Sequence, residues 1–375
     1  MAWLLALAIV LLACALAGAL LLREPPPPRL PGRPSRLGAR VSVIVPSRDE
    51  ARNLTRCLAS LLALEGVDVE VLVVDGGSTD GSRELALLMA REDPRLRVLD
   101  EPPLPPGWVG KCWACWNGRQ AATGEWLLFT DADTAHAPQS LARALAAAQD
   151  ADLLTGLTRQ ELGSAAERVA MPATFTLIHA AARGAGDEAI RDPEHAIGNG
   201  QYLLFRASAY DRLGGHEAVK GSVVEDLALA RLAALSGVRA SFWDLSDSVR
   251  VRMYRGGREM FRGWRKNVAT GAAHTPAPAF ALTAASFAAG LFAAPLALLA
   301  LAQREWIAAL LLASAWLLVS WRVRKAQETT DGPGWPDALL HPLGFAFFGA
   351  VLVASAFDRL TGRGAVWKGR RYPLR

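Results

Sequence analysis

Two carboxylates one residue apart, Asp131 and Asp133, directly follow the apolar run Trp126-Leu127-Leu128-Phe129-Thr130. Hard carboxylate oxygens at that spacing suit Mg²⁺ or Mn²⁺, ions that keep water and substrate phosphates as further ligands. The chemistry indicated is a cation held against a phosphate. The plainer alternative is a pair of solvated turn carboxylates, with Asp133 capping the helix that follows Pro138.

The elements upstream decide where such a pair would stand. Val41-Ser42-Val43-Ile44-Val45-Pro46 reads as a short buried strand. Ser47-Arg48-Asp49-Glu50-Ala51-Arg52-Asn53-Leu54 then opens a helix, with Ser47 or Asp49 as its cap. A second strand, Val69 to Val74, runs into Asp75-Gly76-Gly77-Ser78-Thr79-Asp80-Gly81-Ser82 and a helix through about Arg91. A third strand spans Leu96 to Leu99. This alternation predicts an α/β fold with a parallel sheet, whose ligands bind at the carboxyl ends of the strands. Asp75 and Asp131 both fall at such ends.

With these segments in order, the chain resembles family 2 glycosyltransferases of the GT-A fold. The matching residues are Val-Pro-Ser-Arg-Asp-Glu at 45–50, the loop from Asp75, Asp131-Ala132-Asp133 and Glu225-Asp226, spanning roughly residues 40–270. Gly107-Trp108-Val109-Gly110-Lys111-Cys112-Trp113-Ala114, Gly198-Asn199-Gly200-Gln201-Tyr202, Gly214-Gly215-His216 and Val366-Trp367-Lys368-Gly369-Arg370 are similar to a membrane-bound subgroup acting on carotenoid or hopanoid-type lipids. The resemblance implies an inverting, metal-dependent transfer of one sugar from a nucleotide sugar, a UDP-sugar in the first instance, to a membrane lipid. By the same match Pro46, Arg48, Glu50 and Asp75 contact the nucleotide, and Asp131 faces the ribose or sugar. Asp133 binds Mg²⁺ or Mn²⁺ with Asp131 beside it, and Lys111 is a donor-site cation. Asp226 is the general base, next to Glu225 at the acceptor mouth. His216, after Gly214-Gly215, either touches the acceptor or is a structural turn histidine.

Processive members of the family carry Gln-x-x-Arg-Trp near the end of the domain, where this chain has Arg262-Gly263-Trp264-Arg265-Lys266. That departure favours single transfer over polysaccharide synthesis. Trp264, Arg265 and Lys266 either close over the diphosphate or form a basic, aromatic belt at a membrane surface. The intact set Asp75, Asp131, Asp133 and Asp226 argues against a scaffold that has lost catalysis.

Bulk properties suit a catalytic domain with anchors. Of 375 residues 51% are hydrophobic and 21% charged, and the mean hydropathy is +0.18. The net charge of +5 fits contact with anionic headgroups. Basic residues are scattered and no reader motif is present, so nucleic acid is not an expected partner. The expected organisation is an anchor at 1–22, a Pro/Arg-rich linker at 23–40, the transferase domain at 41–270, membrane helices within 276–358 and a basic interfacial tail at 359–375. Met1 to Leu22 lacks the basic start of a signal peptide. Three later apolar segments, about 279–302, 306–321 and 339–357, follow the domain. Arg23, Arg29, Arg33, Arg36 and Arg40 put the linker in the cytoplasm of a multi-pass inner-membrane protein, where nucleotide sugars are found. Three full crossings after the domain would export the tail, yet its Arg359, Arg363, Lys368, Arg370, Arg371 and Arg375 argue for the inside. Segment 339–357 is therefore expected to be re-entrant, interfacial or half of a broken helix. Cys112 and Cys115 form Cys-x-x-Cys without a second pair, which fits the transferase pattern better than a redox or zinc site.

Overall fold

The computed structural model of the protein describes residues 2–21, 27–32, 38–182, 193, 196–273, 277–332, 334–361, 365–367 and 370–372. In chain order the helices are α1 (Ala2–Leu21), α2 (Ala51–Leu62), α3 (Ser82–Glu92), α4 (Gly110–Ala121), α5 (Ser140–Ala147), α6 (Ala165–Ala182), α7 (Ala207–Arg212), α8 (Gly215–Ala218), α9 (Glu225–Leu235), α10 (Gly257–Ala273), α11 (Ala277–Ala302), α12 (Trp306–Ala326), α13 (Trp335–Leu339) and α14 (His341–Leu360). The strands are β1 (Arg40–Ser47), β2 (Asp68–Asp75), β3 (Leu96–Asp100), β4 (Trp126–Phe129), β5 (Thr134–His136), β6 (Leu153–Leu157), β7 (Arg159–Gln160), β8 (Leu203–Arg206), β9 (Ala240–Asp244), β10 (Val249–Val251), β11 (Ala365–Trp367) and β12 (Arg370–Tyr372).

Seven strands form one sheet in the order β3-β2-β1-β4-β8-β6-β9. β1, β2, β3 and β4 run parallel, while β8 is antiparallel to both β4 and β6. Near-continuous apolar runs in β1 and β2 suit strands covered on both faces. α2 covers one face through Leu54, Cys57, Leu58 and Leu61, the i, i+3, i+4, i+7 pattern of an amphipathic helix. α4 covers the other. Gly118 lets it down onto the sheet, because a Cβ there would lie 2.4 Å from Ile44 Cγ2. That close seat sets the first turn of α4, with Lys111, over the end of β4.

The expected start of α2 needs correction. Its N-cap is Glu50, with no side-chain cap from Ser47 or Asp49. The Ala51 N–H instead donates to Asp80 Oδ2 at 2.9 Å, and the Asp49 and Glu50 N–H groups donate to Ser78 and Ser82 hydroxyls. Asp49, with φ of 53°, accepts from Thr79 N. The loop after β2 thus caps the helix after β1 and locks the two together. Asp133 does not cap α5, which begins at Ser140 behind Gln139.

α1, α11, α12 and α14 are each long and apolar enough to cross a membrane by length and composition. α1, α11 and α12 pack on one another, while α14 packs along α6, α10 and α11. Ala170, Met171, Met260, Trp264, Ala289, Val319, Phe345 and Val351 form one apolar cluster joining these layers. α14 is continuous from His341 to Leu360, so it is not half of a broken helix. Residues 22–26 and 33–37 of the linker, and the side chains of 362–375, lie outside the described residues.

Candidate functional site

The carboxyl ends of β1, β2 and β4 converge on one edge of the sheet. Because β8 pairs antiparallel with β4, Phe129 lies opposite Leu203. The loop before β8, Gly198 to Tyr202, is thereby brought to the same edge. Pro46, Lys111, Thr130, Asp131, Gly200 and Glu225 line a small cleft there.

Lys111 is its electrostatic centre. Its Nζ lies 2.7 Å from Asp131 Oδ1 and 2.7 Å from Glu225 Oε1. Burial pulls the ammonium's pKa down, but Asp131, Glu225 and Asp226 together hold it well above the ordinary lysine range. Glu225 is 4% exposed and Asp226 follows it in the first turn of α9. Asp226 Oδ2 accepts from Gly200 N at 2.9 Å and Oδ1 from Leu227 N at 2.8 Å. Burial, then the Glu225 charge, pushes its carboxyl up to about 6, and Lys111 opposes the rise. Gly198 and Gly200 make this approach possible. A Cβ on Gly198 would meet the Asp226 carbonyl oxygen at 2.2 Å, and one on Gly200 would meet Lys111 Nζ at 2.8 Å.

Asp133 is half-buried and its Oδ1 is fully buried without a partner. Burial, then Asp131 and Glu50, push its carboxyl up to about 8. A carboxylate atom left bare among other carboxylates calls for a cation. Among the described residues no three His, Cys, Asp or Glu side chains converge as a closed metal cage. Asp131 and Asp133 instead offer an open pair of oxygen donors, which suits a hard divalent ion completed by phosphate and water.

Asp75 is 4% exposed, and its own loop engages both carboxylate oxygens: Oδ2 accepts from Gly77 N and Ser78 N, and Oδ1 from the Ser78 hydroxyl. Arg48 donates to the Gly76 carbonyl, and Glu50 accepts from Asn53 at 3.0 Å. Pro46, Arg48, Glu50, Asp75, Lys111, Asp131, Asp133, Glu225 and Asp226 therefore share one edge of the domain.

His216 lines the cleft as a buried residue, while Trp264 and Arg265 stand in the helical layer. His216 is 1% exposed, hydrogen-bonded through Nδ1 to the Tyr210 hydroxyl at 2.7 Å and packed edge-on to Phe129. Burial, then Lys111, lowers its pKa to about 3, so it is a neutral wall of the cleft. Trp264 donates from Nε1 to Met171 Sδ and packs against Phe175. Arg265 makes a bidentate ion pair with Asp358 of α14, at 2.5 and 2.6 Å. Both are committed to the helical layer because α10 turns its apolar face to α6 and α14. They are not a diphosphate clamp in this arrangement. The Lys266 side chain lies outside the described residues.

A polar network beneath the carboxylate loop escaped the sequence reading. Thr134 Oγ1 donates to the Asp131 carbonyl, Thr130 Oγ1 to the Gln201 carbonyl, and His136 Nε2 lies 3.1 and 3.2 Å from the two hydroxyls. Gln201, one residue after Gly200, thus ties the carboxylate loop to the loop that holds Asp226. The Gly198-to-Tyr202 motif was the signal available for it. Cys112 and Cys115 are free, buried thiols, and burial raises both well above the usual range.

Residues 42–213 match the family described as Glycosyl transferase family 2. A 4,4'-diaponeurosporenoate glycosyltransferase of Staphylococcus haemolyticus is 25% identical over 240 residues, 63% of this chain and 62% of that protein. Its namesake in Staphylococcus aureus is 25% identical over 344 residues, 89% of this chain and 88% of that protein. Among solved structures, a mannosyltransferase from Pyrobaculum calidifontis in complex with GDP-Man and Mn²⁺ superposes with a TM-score of 0.55. It is 23% identical, over 95% of this chain and 99% of that one. That likeness supports the GT-A architecture.

Proposed function

We propose, from the family 2 glycosyltransferase match over residues 42–213, a membrane-seated, inverting enzyme that moves one sugar from a nucleotide sugar to a lipid acceptor. The observation that carries this reading is Lys111, 2.7 Å from carboxylates of both the Asp131 loop and the Glu225-Asp226 pair. One cation joins the side that would hold the donor to the side that would receive the acceptor.

Asp133 and Asp131 would hold Mg²⁺ or Mn²⁺, which neutralises charge on the departing diphosphate. The chain's own residues supply the rest. Pro46, Arg48, Glu50 and Asp75 line the nucleotide end. Lys111 keeps Asp131 and Glu225 in register and adds positive charge where the leaving group gains negative charge. Asp226 takes the proton of an acceptor hydroxyl as that oxygen attacks the anomeric carbon and the bond to the diphosphate breaks. Attack from the face opposite the leaving group turns an α-linked donor into a β-linked product. Its pKa of about 6 leaves Asp226 ionised at neutral pH yet basic enough to accept the proton.

A lipid acceptor is supported by two relatives named for a carotenoid acid and by the apolar layer around α6, α10 and α14. Single transfer is supported by Arg262-Gly263-Trp264 in place of the processive motif. The catalytic domain would face the cytoplasm of the inner membrane. Purified full-length protein in detergent should convert extracted membrane lipid to glycolipid with one member of a nucleotide-sugar panel, read by mass spectrometry. Transfer only to water-soluble acceptors would overturn the lipid assignment.

A further inference from the structure

α1 and α11 contain no charged residue, yet they close around a guanidinium. Arg322 stands four residues before the end of α12 and is half-buried. Its Nη1 donates to Ser286 Oγ of α11 at 3.4 Å. A Cβ added to Gly18 of α1 would lie 2.6 Å from Nη1 and 2.7 Å from Ser286 Oγ, so glycine makes the notch that admits the side chain. Among the described residues no carboxylate pairs with Arg322. A guanidinium has five donors and stays protonated, and a desolvated cation with one long hydrogen bond is costly.

The guanidinium is seated where three helices approach the catalytic domain. The end of α1 and the end of α12 both lie at the catalytic domain. After α1, Leu30 is buried in the domain core and the Pro28 carbonyl accepts from Asp244 N. After α12, Asp331 pairs with Arg159 and Arg250. Gly18 stands three residues before the end of α1 and Arg322 four before the end of α12, about 5 and 6 Å along the axes at 1.5 Å per residue, while Ser286 lies nine residues into α11. The guanidinium therefore stands near the domain-side ends of these helices, at the level where a bilayer would place its headgroups. A basic pocket between helices at that level suits an anionic headgroup.

We propose that Arg322, Ser286 and the notch at Gly18 form a headgroup-level site for the phosphate of an anionic lipid. The planar fork matches a phosphate bidentately, and the exposed Leu16, Leu20 and Leu317 on the surrounding helices suit acyl chains rather than a soluble ion. The site depends on these helices lying in a bilayer and not on the transfer reaction, so its test needs no turnover.

Native mass spectrometry of the full-length protein, released from nanodiscs of equal phosphatidylglycerol and phosphatidylcholine, reads the occupant. Wild type should retain phosphatidylglycerol preferentially. Arg322→Met should weaken that retention by about tenfold or more, and Arg322→Lys, which keeps charge without the fork, by less. If Arg322→Met does not fold, Gly18→Ala and Ser286→Ala decide, since both keep the charge and disturb its seat. Equal retention of the two lipids by wild type, or unchanged retention in the variants, would overturn the site. Thermal stabilisation by inorganic phosphate equal to that by phosphatidylglycerol would overturn the lipid assignment.

Discussion

Replacing Asp226 by asparagine separates the base from the scaffold, and its cost can be worked from the contacts. Each oxygen of Asp226 accepts one backbone N–H, from Leu227 and from Gly200. Asparagine has one carbonyl oxygen, so one of those donors loses its acceptor, at about 1–3 kcal/mol. A domain with about 5–15 kcal/mol of stability still folds. Loss of the base should slow transfer to a hydroxyl by ~10²–10⁴-fold. pH supplies a second handle. With the carboxyl at about 6, wild-type kcat/KM should fall tenfold per unit below that value, leaving about one tenth at pH 5. The variant should lack this limb. The stability sign follows from the same shift. A carboxyl raised above its ordinary 3.8 favours the neutral form in the fold, so its contribution is complete below 3.8 and lost as pH rises through 6. The stability gap between wild type and Asp226→Asn should therefore narrow from pH 4 to pH 7. Labelled-donor transfer and thermal melts across that range measure both effects. A rate loss below about tenfold with a hydroxyl acceptor, or an α-linked product from an α-linked donor, would refute the assignment of the base.

Asp133→Ala should abolish both transfer and Mn²⁺ binding, the latter read by electron paramagnetic resonance; full activity in that variant or in EDTA would contradict the metal role. Arg265→Ala and Asp358→Ala should each cost at most ~1 kcal/mol in thermal stability and leave the donor KM within about twofold, because the pair lies in the helical layer. A many-fold rise in donor KM would return Arg265 to the diphosphate. Replacing residues 276–375 by an unrelated anchor should lower the rate on the native acceptor while sparing donor hydrolysis; a chimera working at full rate would make those helices a tether only.

The strand ends were legible because β1, β2 and β4 are apolar runs stopped by polar residues, and a parallel sheet puts its ligands there. Lys111 was legible as a cation, but its two partners were not: Asp131 meets it through the seat of α4 over the end of β4, and Glu225 comes from α9, more than a hundred residues on. The cap of α2 was misread for a related reason: Asp80 lies 29 residues from the N–H it accepts, while local rules look within four. Trp264 and Arg265 were read from residue type and position near the domain end. What fixes their direction is the amphipathic face of α10 and a partner at Asp358, 93 residues on. Thr130, Thr134 and His136 carry no pattern distinct from ordinary turn and strand residues, and Gln201 was marked only as part of the Gly198-to-Tyr202 motif, so their network emerges only when the two loops meet.

The contradiction between a basic tail and three crossings has a structural answer. α12 comes back to the catalytic domain, where Thr330 pairs with Gln160 and Asp331 with Arg159 and Arg250. In the proposed membrane arrangement α1, α11 and α12 would make three crossings, one before the domain and an outward and inward pair after it. α14 follows from that same side. It runs beside α6 and α10, with Phe347 against Phe261 and Asp358 on Arg265, and also packs on α11 through Phe345 against Phe287. α6 in turn is anchored in the domain by Glu167, which accepts from Arg252 Nη1 at 2.7 Å, while the Arg252 N–H donates to the Asp133 carbonyl at 3.0 Å. In the proposed membrane arrangement an interfacial α14 would leave the tail on the cytoplasmic side, as its charge requires. The same placement puts α6 one ion pair away from the carboxylate loop, so a lipid entering beside α6, α10 and α14 would meet the chemistry at headgroup depth.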